Sequence, residues 1–168
     1  MVSDSMAANR NALFSRLAAL AIPSTTVAHD PVFTVEQSAA LRLSLPGAHT
    51  KNLFLTDKDG LMVLVVAKDD TKVDLKALAN RLGAGRFSFG KAGLLEAVLG
   101  VPPGSVTPLA LIHPSAAEVV VVIDQALMDF AEVTCHPLEN TATTRLATKD
   151  LIRFIEACGH RPLVQPLG

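Results

Sequence analysis

Thr50-Lys51-Asn52-Leu53-Phe54-Leu55-Thr56-Asp57-Lys58-Asp59-Gly60-Leu61-Met62-Val63-Leu64-Val65-Val66-Ala67 reads as two β-strands joined by a turn. The flanks, Thr50 to Thr56 and Leu61 to Ala67, are rich in large apolar and β-branched residues, and Gly60 can take the positive φ that closes such a hairpin. Lys51 breaks the pattern, standing near the start of an otherwise apolar run. Either it ends the strand and reaches water along its apolar stem, or it points a cation into a cleft. In a partly dry cleft its pull on an anion strengthens.

Upstream of the hairpin, Ser5 to Leu20 predicts a helix with Leu13, Leu17 and Leu20 on one stripe, ended by Pro23. Thr25 to Ala28 reads as a short strand. Thr34-Val35-Glu36-Gln37 has capping-box spacing and predicts a helix to about Leu45, stopped by Pro46-Gly47. Downstream, a helix from Asp74 to Leu82 turns Leu75, Leu78 and Leu82 inward and Lys72, Lys76 and Arg81 outward. A second runs from about Lys91 to Leu99, with Gly100 as its stop. Strands are predicted near Thr107 to Ile112 and Glu118 to Ile123. The continuous apolar run of Val119 to Ile123 marks a strand covered on both faces. Asp124 to Asp129 reads as a helical turn, and Val133 to His136 and Thr143 to Ala147 as extended. Thr148 is a candidate N-cap for a last helix through Ala157. Strands and helices alternate without regular βαβ spacing. The expectation is a mixed α/β (α+β) fold: a single domain over residues 1–168, residues 1–22 forming its N-terminal helix. A central, largely antiparallel mixed sheet would be flanked by helices.

Composition narrows the function classes. At 168 residues, 49% hydrophobic and 18% charged, the chain can bury a core and is not a disordered tract. Trp and Tyr are absent, so the core is aliphatic with Phe as its aromatic. No signal-peptide pattern opens the sequence. Ala97 to Ala117 carries no charge and is long enough to span a bilayer, but Pro102, Pro103, Pro108 and Pro114 interrupt it, so no membrane span is expected. Cys135 and Cys158 are too few for a disulfide framework, and a reduced, cytoplasmic protein follows. A net charge of −1 argues against binding nucleic acid through bulk electrostatics, yet the charge is uneven. Lys68, Lys72, Lys76, Arg81, Arg86 and Lys91 cluster in one segment. From Ser115 to Glu139 there are five acidic residues and no Lys or Arg. The chain is therefore dipolar, with one basic side, or simply carries a solvated helix face.

Several familiar chemistries fail on spacing. Gly85-Arg86-Phe87-Ser88-Phe89-Gly90-Lys91-Ala92 matches a phosphate-binding loop until Ala92, where Ser or Thr is needed to hold magnesium, and it follows an amphipathic helix instead of a buried strand. Cys135 and His136 are strand neighbours and point to opposite faces, so they do not form a nucleophile–base pair. Gly159 separates Cys158 from His160. His29, His49, His113, His136 and His160 lack ligand spacing, so neither a catalytic metal nor any other cofactor is expected. No G-x-S-x-G turn supports a generic esterase.

Gly104-Ser105-Val106-Thr107-Pro108 is more informative. A glycine lets another group approach the backbone, a proline fixes the exit, and the amides between can point into a pocket. An ordinary turn has the same composition. Taken with Leu45-Pro46-Gly47-Ala48-His49-Thr50-Lys51-Asn52-Leu53-Phe54-Leu55 and with His136-Pro137-Leu138-Glu139-Asn140-Thr141-Ala142-Thr143-Thr144, it resembles the YbaK/ProX family of free-standing aminoacyl-tRNA editing domains. Pro31-Val32-Phe33-Thr34-Val35-Glu36 and Gly93-Leu94-Leu95-Glu96-Ala97-Val98-Leu99-Gly100 extend the resemblance, which runs from about His29 to Gln165 and is nearest the prolyl-tRNA, alanine-clearing branch.

The resemblance implies Lys51 as the residue most needed for activity and a pocket shaped by Gly104, Ser105, Val106, Thr107 and Pro108. Asn52 and His136 would contact substrate. It implies a deacylase acting in trans on alanyl-tRNA(Pro), with the acceptor stem and aminoacylated 3′ end of that tRNA as partner and prolyl-tRNA synthetase as a second. Lys72, Lys76, Arg81 and Lys91 would then meet the acceptor stem. The sister activity on cysteinyl-tRNA(Pro) and a catalytically silent tRNA- or synthetase-binding module are the alternatives.

Overall fold

The hairpin at the centre of the sequence is also the centre of the sheet. The structure is a computed structural model and describes residues 4–31 and 45–168, the side chains of residues 4–9 excepted. The expected capping box at Thr34 to Gln37 and the body of its helix lie outside the described residues. Strands β1 (Ser24–Ala28), β2 (Ala48–Thr56), β3 (Met62–Lys68), β4 (Ser88–Phe89), β5 (Val120–Asp124), β6 (Glu132–Cys135), β7 (Ala142–Ala147) and β8 (Leu163–Gln165) form one sheet. Its order is β1-β7-β6-β2-β3-β5-β8, with β4 added to β2. The pairs β1–β7, β2–β3, β2–β4 and β6–β7 are antiparallel; β2–β6, β3–β5 and β5–β8 are parallel.

Alternation along the central strands sends side chains into two cores. Phe54, Leu64, Val66, Val121 and Ile123 join a large cluster on one face. Packed there are α1 (Asp4–Ala19) through Leu13 and Leu17, α3 (Ala92–Leu99) through Leu95 and Leu99, and α4 (Thr148–Ala157) through Leu151 and Phe154. Leu55, Val63, Val65 and Val122 face the other way, against Leu78 and Ala79 of α2 (Leu75–Leu82). The apolar run of β5 is thus covered on both faces, as its sequence predicts. Asp74 caps α2 by accepting from the Ala77 amide at 3.0 Å, and Gly83, at φ 65°, ends it.

The hairpin turn uses Gly60 as expected and adds the Asp57 carboxylate. Gly60 takes φ 87°. The Asp57 carboxylate accepts from the amides of Asp59, Leu61 and Gly85, which holds its pKa below the ordinary value, the Leu61 bond first. Gly90 of the apparent phosphate loop is explained by packing: a Cβ there would lie 2.3 Å from the Phe54 ring, and its amide donates to the Phe54 carbonyl at 2.8 Å.

Two local expectations are corrected. Thr107 to Ile112 is not a strand: Pro108–Ile112 is a 3-10 helix. Pro108 suits its first position because no donor is needed there, and the Thr107 hydroxyl accepts from the Leu109 amide at 3.2 Å. Thr148 is the first helical residue of α4 and not its cap, since its hydroxyl donates to the Phe130 carbonyl at 2.6 Å. No helix among the described residues is long and apolar enough to cross a membrane.

Candidate functional site

Strands β2 and β6 run in parallel, with Ala48 opposite Val133 and His49 opposite Thr134. One residue further on, Thr50 Oγ1 donates to the Thr134 carbonyl at 2.7 Å and keeps the two chains together past their last paired residues. Continuing that register by two residues sets Lys51 level with His136. Continuing the β6–β7 register past Cys135–Thr144 sets His136 level with Thr143. On its other side Lys51 is paired with Ala67, whose side chain lies on the α2 face. Lys51 is half-buried. Its ammonium has no ion-pair partner among the described residues. A half-buried lysine inside a strand, just past the point where the neighbouring β6 ladder stops and without an ion-pair partner among the described residues, is the geometry that attracts an anion.

Asn52 emerges on the opposite face, paired with Val66. Its Nδ2 reaches Thr50 Oγ1 only at 3.4 Å, and its Oδ1 is buried with no donor among the described residues. An orphaned buried oxygen costs stability until a donor reaches it.

The 104–108 loop packs against the large core beside the residues that flank His136 in the chain. Gly104 takes φ 90°, and a Cβ on it would lie 3.8 Å from Asn140 Nδ2. The Thr107 side chain bonds the Cys135 thiol. The loop thus meets the chain at Cys135, on the face of the strand opposite the His136 ring, and passes near Asn140. Ser105 and Thr107 are buried. The Ser105 amide donates to the Pro102 carbonyl at 3.1 Å and is used up in the turn. The amides of Val106 and Thr107 donate to no acceptor among the described residues. Of the expected amide donors, these two are the available ones.

His136 Nδ1 lies 3.3 Å from the Ala142 carbonyl. A carbonyl only accepts, so Nδ1 carries the hydrogen and Nε2 is the accepting nitrogen. Burial holds the His136 pKa below the ordinary 6.5; the Ala142 carbonyl opposes this, and nearby His29 adds to it. The ring is neutral near pH 7. Burial pushes the Cys135 thiol up to about 12 despite the Thr107 contact, so it supplies no thiolate at neutral pH. Cys135 belongs to the large core. Among the described residues no cluster of His, Cys, Asp or Glu could hold a metal ion.

The basic residues are spread along the molecule. Lys72 is exposed at the end of the sheet that carries Lys51, beside Asp124. Lys76 borders a cleft of about 490 Å³ with Asn80, Arg86 and Phe87. Arg81 donates to the Pro166 carbonyl. Lys91 follows Phe89, which pairs with Leu55, roughly 13 Å along β2 from Lys51.

Three contributors carried no local sequence signal. Thr50 and Thr143 look like ordinary strand threonines, and His29 looks like a loop histidine. The available hint was the density of threonines after His136.

The sequence profile described as "Aminoacyl-tRNA editing domain" matches residues 29–154. The chain belongs to the aminoacyl-tRNA editing family of the YbaK/ProX type. The matched segment contains Lys51, the 104–108 loop and His136, and leaves out α1. The chain is 36% identical over 152 residues to the prolyl-tRNA editing protein ProX of Acetoanaerobium sticklandii, covering 90% of this chain and 93% of that protein. It is 41% identical over 162 residues to prolyl-tRNA synthetase associated domain-containing protein 1 of Bos taurus, covering 92% and 93%. Among solved structures, one described as a candidate trans-editing enzyme for prolyl tRNA synthetase superposes with a TM-score of 0.75. That match is at 19% identity and covers 99% of this chain and 98% of that one. This likeness places the editing-domain fold on the mixed sheet.

Proposed function

We propose that the protein is a trans-editing hydrolase that removes alanine from mischarged alanyl-tRNA(Pro). The observation that supports the reading is half-buried Lys51, inside β2, level with His136, just beyond β6, when the β2–β6 register is continued past Thr50 and Thr134. Against Cys135, the residue before His136, packs a turn whose Val106 and Thr107 amides donate to no acceptor among the described residues. The names of the related proteins support the tRNA and the synthetase as partners.

An aminoacyl ester is already activated, with a vicinal hydroxyl and an ammonium close by. The enzyme needs mainly to place water and to stabilise developing negative charge, where one preorganised donor is worth ~3 kcal/mol. Lys51 anchors the terminal nucleotide through its phosphate or sugar. The amides of Val106 and Thr107 hold the aminoacyl group, and buried Asn52 Oδ1 accepts from a donor on the substrate. Neutral His136 offers Nε2 as acceptor. Water or the ribose hydroxyl completes the proton transfer. Pro108 and Gly104 hold the loop in shape, with Ser105 closing its turn.

Selection is steric: a small pocket admits alanine and excludes proline, because a larger pocket would separate substrates differing by a methylene by only ~1–3 kcal/mol. Lys72, Lys76, Arg81 and Lys91 would meet the acceptor stem, and the action is cytoplasmic, in keeping with two free thiols. Deacylation of alanyl-, cysteinyl- and prolyl-esters on one tRNA(Pro) tests the reading. Preference for alanine supports it; preference for cysteine assigns the sister activity; no hydrolysis of any ester leaves a binding module.

A further inference from the structure

His29 follows β1 and takes no part in the editing reading above. Its ring is held at both nitrogens: Nδ1 lies 2.6 Å from the Asp30 carbonyl, and Nε2 lies 2.7 Å from Thr143 Oγ1. Because the carbonyl can only accept, Nδ1 carries the hydrogen. In the neutral ring Nε2 then accepts from the Thr143 hydroxyl. The His29 amide also donates to the Thr141 carbonyl at 2.8 Å.

One residue therefore grips the chain at 141 and again at 143. Between these points lies Ala142, whose carbonyl sets the tautomer of His136. At 3.3 Å that bond is at the outer edge of hydrogen-bonding range, where a small displacement of the acceptor loses it. The β1–β7 ladder ends at the pair Ala28–Ala142, and the His29 amide makes the next bond, to the Thr141 carbonyl, just past it.

We propose that His29 is a positioning residue for His136: by pinning residues 141 and 143 it aims the Ala142 carbonyl at Nδ1 and leaves Nε2 as the acceptor presented to substrate. The last step rests on the deacylase reading; the link between the two histidines does not. Thr143 is the intermediary, buried and bonded to His29 through its hydroxyl.

The experiment is long-range ¹H–¹⁵N NMR of the imidazole nitrogens in the free protein. The wild type should show His136 as the Nδ1–H tautomer. His29→Ala and Thr143→Val should each give a mixture of tautomers in a protein that still melts cooperatively, and Thr143→Ser should restore the wild-type pattern. In single-turnover deacylation, His29→Ala should lower the rate about tenfold to a hundredfold, with binding little changed. A wild-type His136 carrying its hydrogen on Nε2, or a tautomer unchanged in both variants, overturns the proposal. Should His29→Ala not fold, Thr143→Val decides. A tautomer shift without deacylation in any form would refute the editing reading and leave the His29–His136 link standing.

Discussion

Thr50 Oγ1 and the Thr134 carbonyl, 2.7 Å apart, join β2 to β6 one residue before Lys51 and two before His136. The two site residues come from segments far apart in sequence, and this bond sets their relative height on the sheet. Replacing Thr50 by Val leaves the Thr134 carbonyl without its side-chain donor. Denaturant unfolding should register a loss of about 1 kcal/mol, and deacylation should fall by roughly tenfold as Lys51 and His136 lose register.

Gly104 has a conformational role separate from space-filling. Its φ is 90°, and the nearest atom to an added Cβ is Asn140 Nδ2 at 3.8 Å, so alanine would be strained without clashing. Gly104→Ala is expected to cost about 1–3 kcal/mol. The loop can escape that strain only by moving the Val106 and Thr107 amides. Thermal melting gives the first effect, and a drop in kcat with little change in KM gives the second.

Two histidines make stability depend on pH. Burial lowers the pKa of His136 and of His113, whose Nε2 is buried without a partner among the described residues. Between the lowered folded value and the ordinary 6.5, the unfolded chain binds more protons. Stability is therefore full above 6.5 and declines as pH falls toward the folded values. Melting of the double variant His113→Gln, His136→Gln should decline less than wild type as pH falls below 6.5.

The thiols separate structural from chemical roles. Cys135, with its pKa pushed up to about 12, should resist alkylation at pH 8 in the native state, while half-exposed Cys158 reacts slowly. Cys135→Ala should lose core packing, on the order of 1–2 kcal/mol, and keep its deacylation rate. A rate that vanished in a folded Cys135→Ala protein would restore the thiol as a nucleophile.

The parts legible in the sequence are those fixed locally. The β2–β3 hairpin, α2 with Asp74 and Gly83, and the two-sided burial of β5 follow from periodicity, caps and turn residues. Parallel pairing of β2 with β6 leaves no local mark, because its register is set by tertiary contacts such as Thr50–Thr134. Strands β4 and β8, of two and three residues, are too short to show a period. Thr107 to Ile112 has strand-like side chains, but Pro108 and the Thr107 cap bend it into a 3-10 turn. Lys51 stood out because a charge interrupted a strand; His29 did not, because nothing around it in the chain reveals that its partner is Thr143.

Lys51 decides the account. Single-turnover hydrolysis of alanyl-tRNA(Pro) by wild type and by Lys51→Ala, with melting curves for both, is the most direct measurement. The prediction is a loss of about a hundredfold or more in rate with the melting curve little changed, since the ammonium has no ion-pair partner among the described residues to lose. A folded Lys51→Ala protein that clears alanine at the wild-type rate would contradict it.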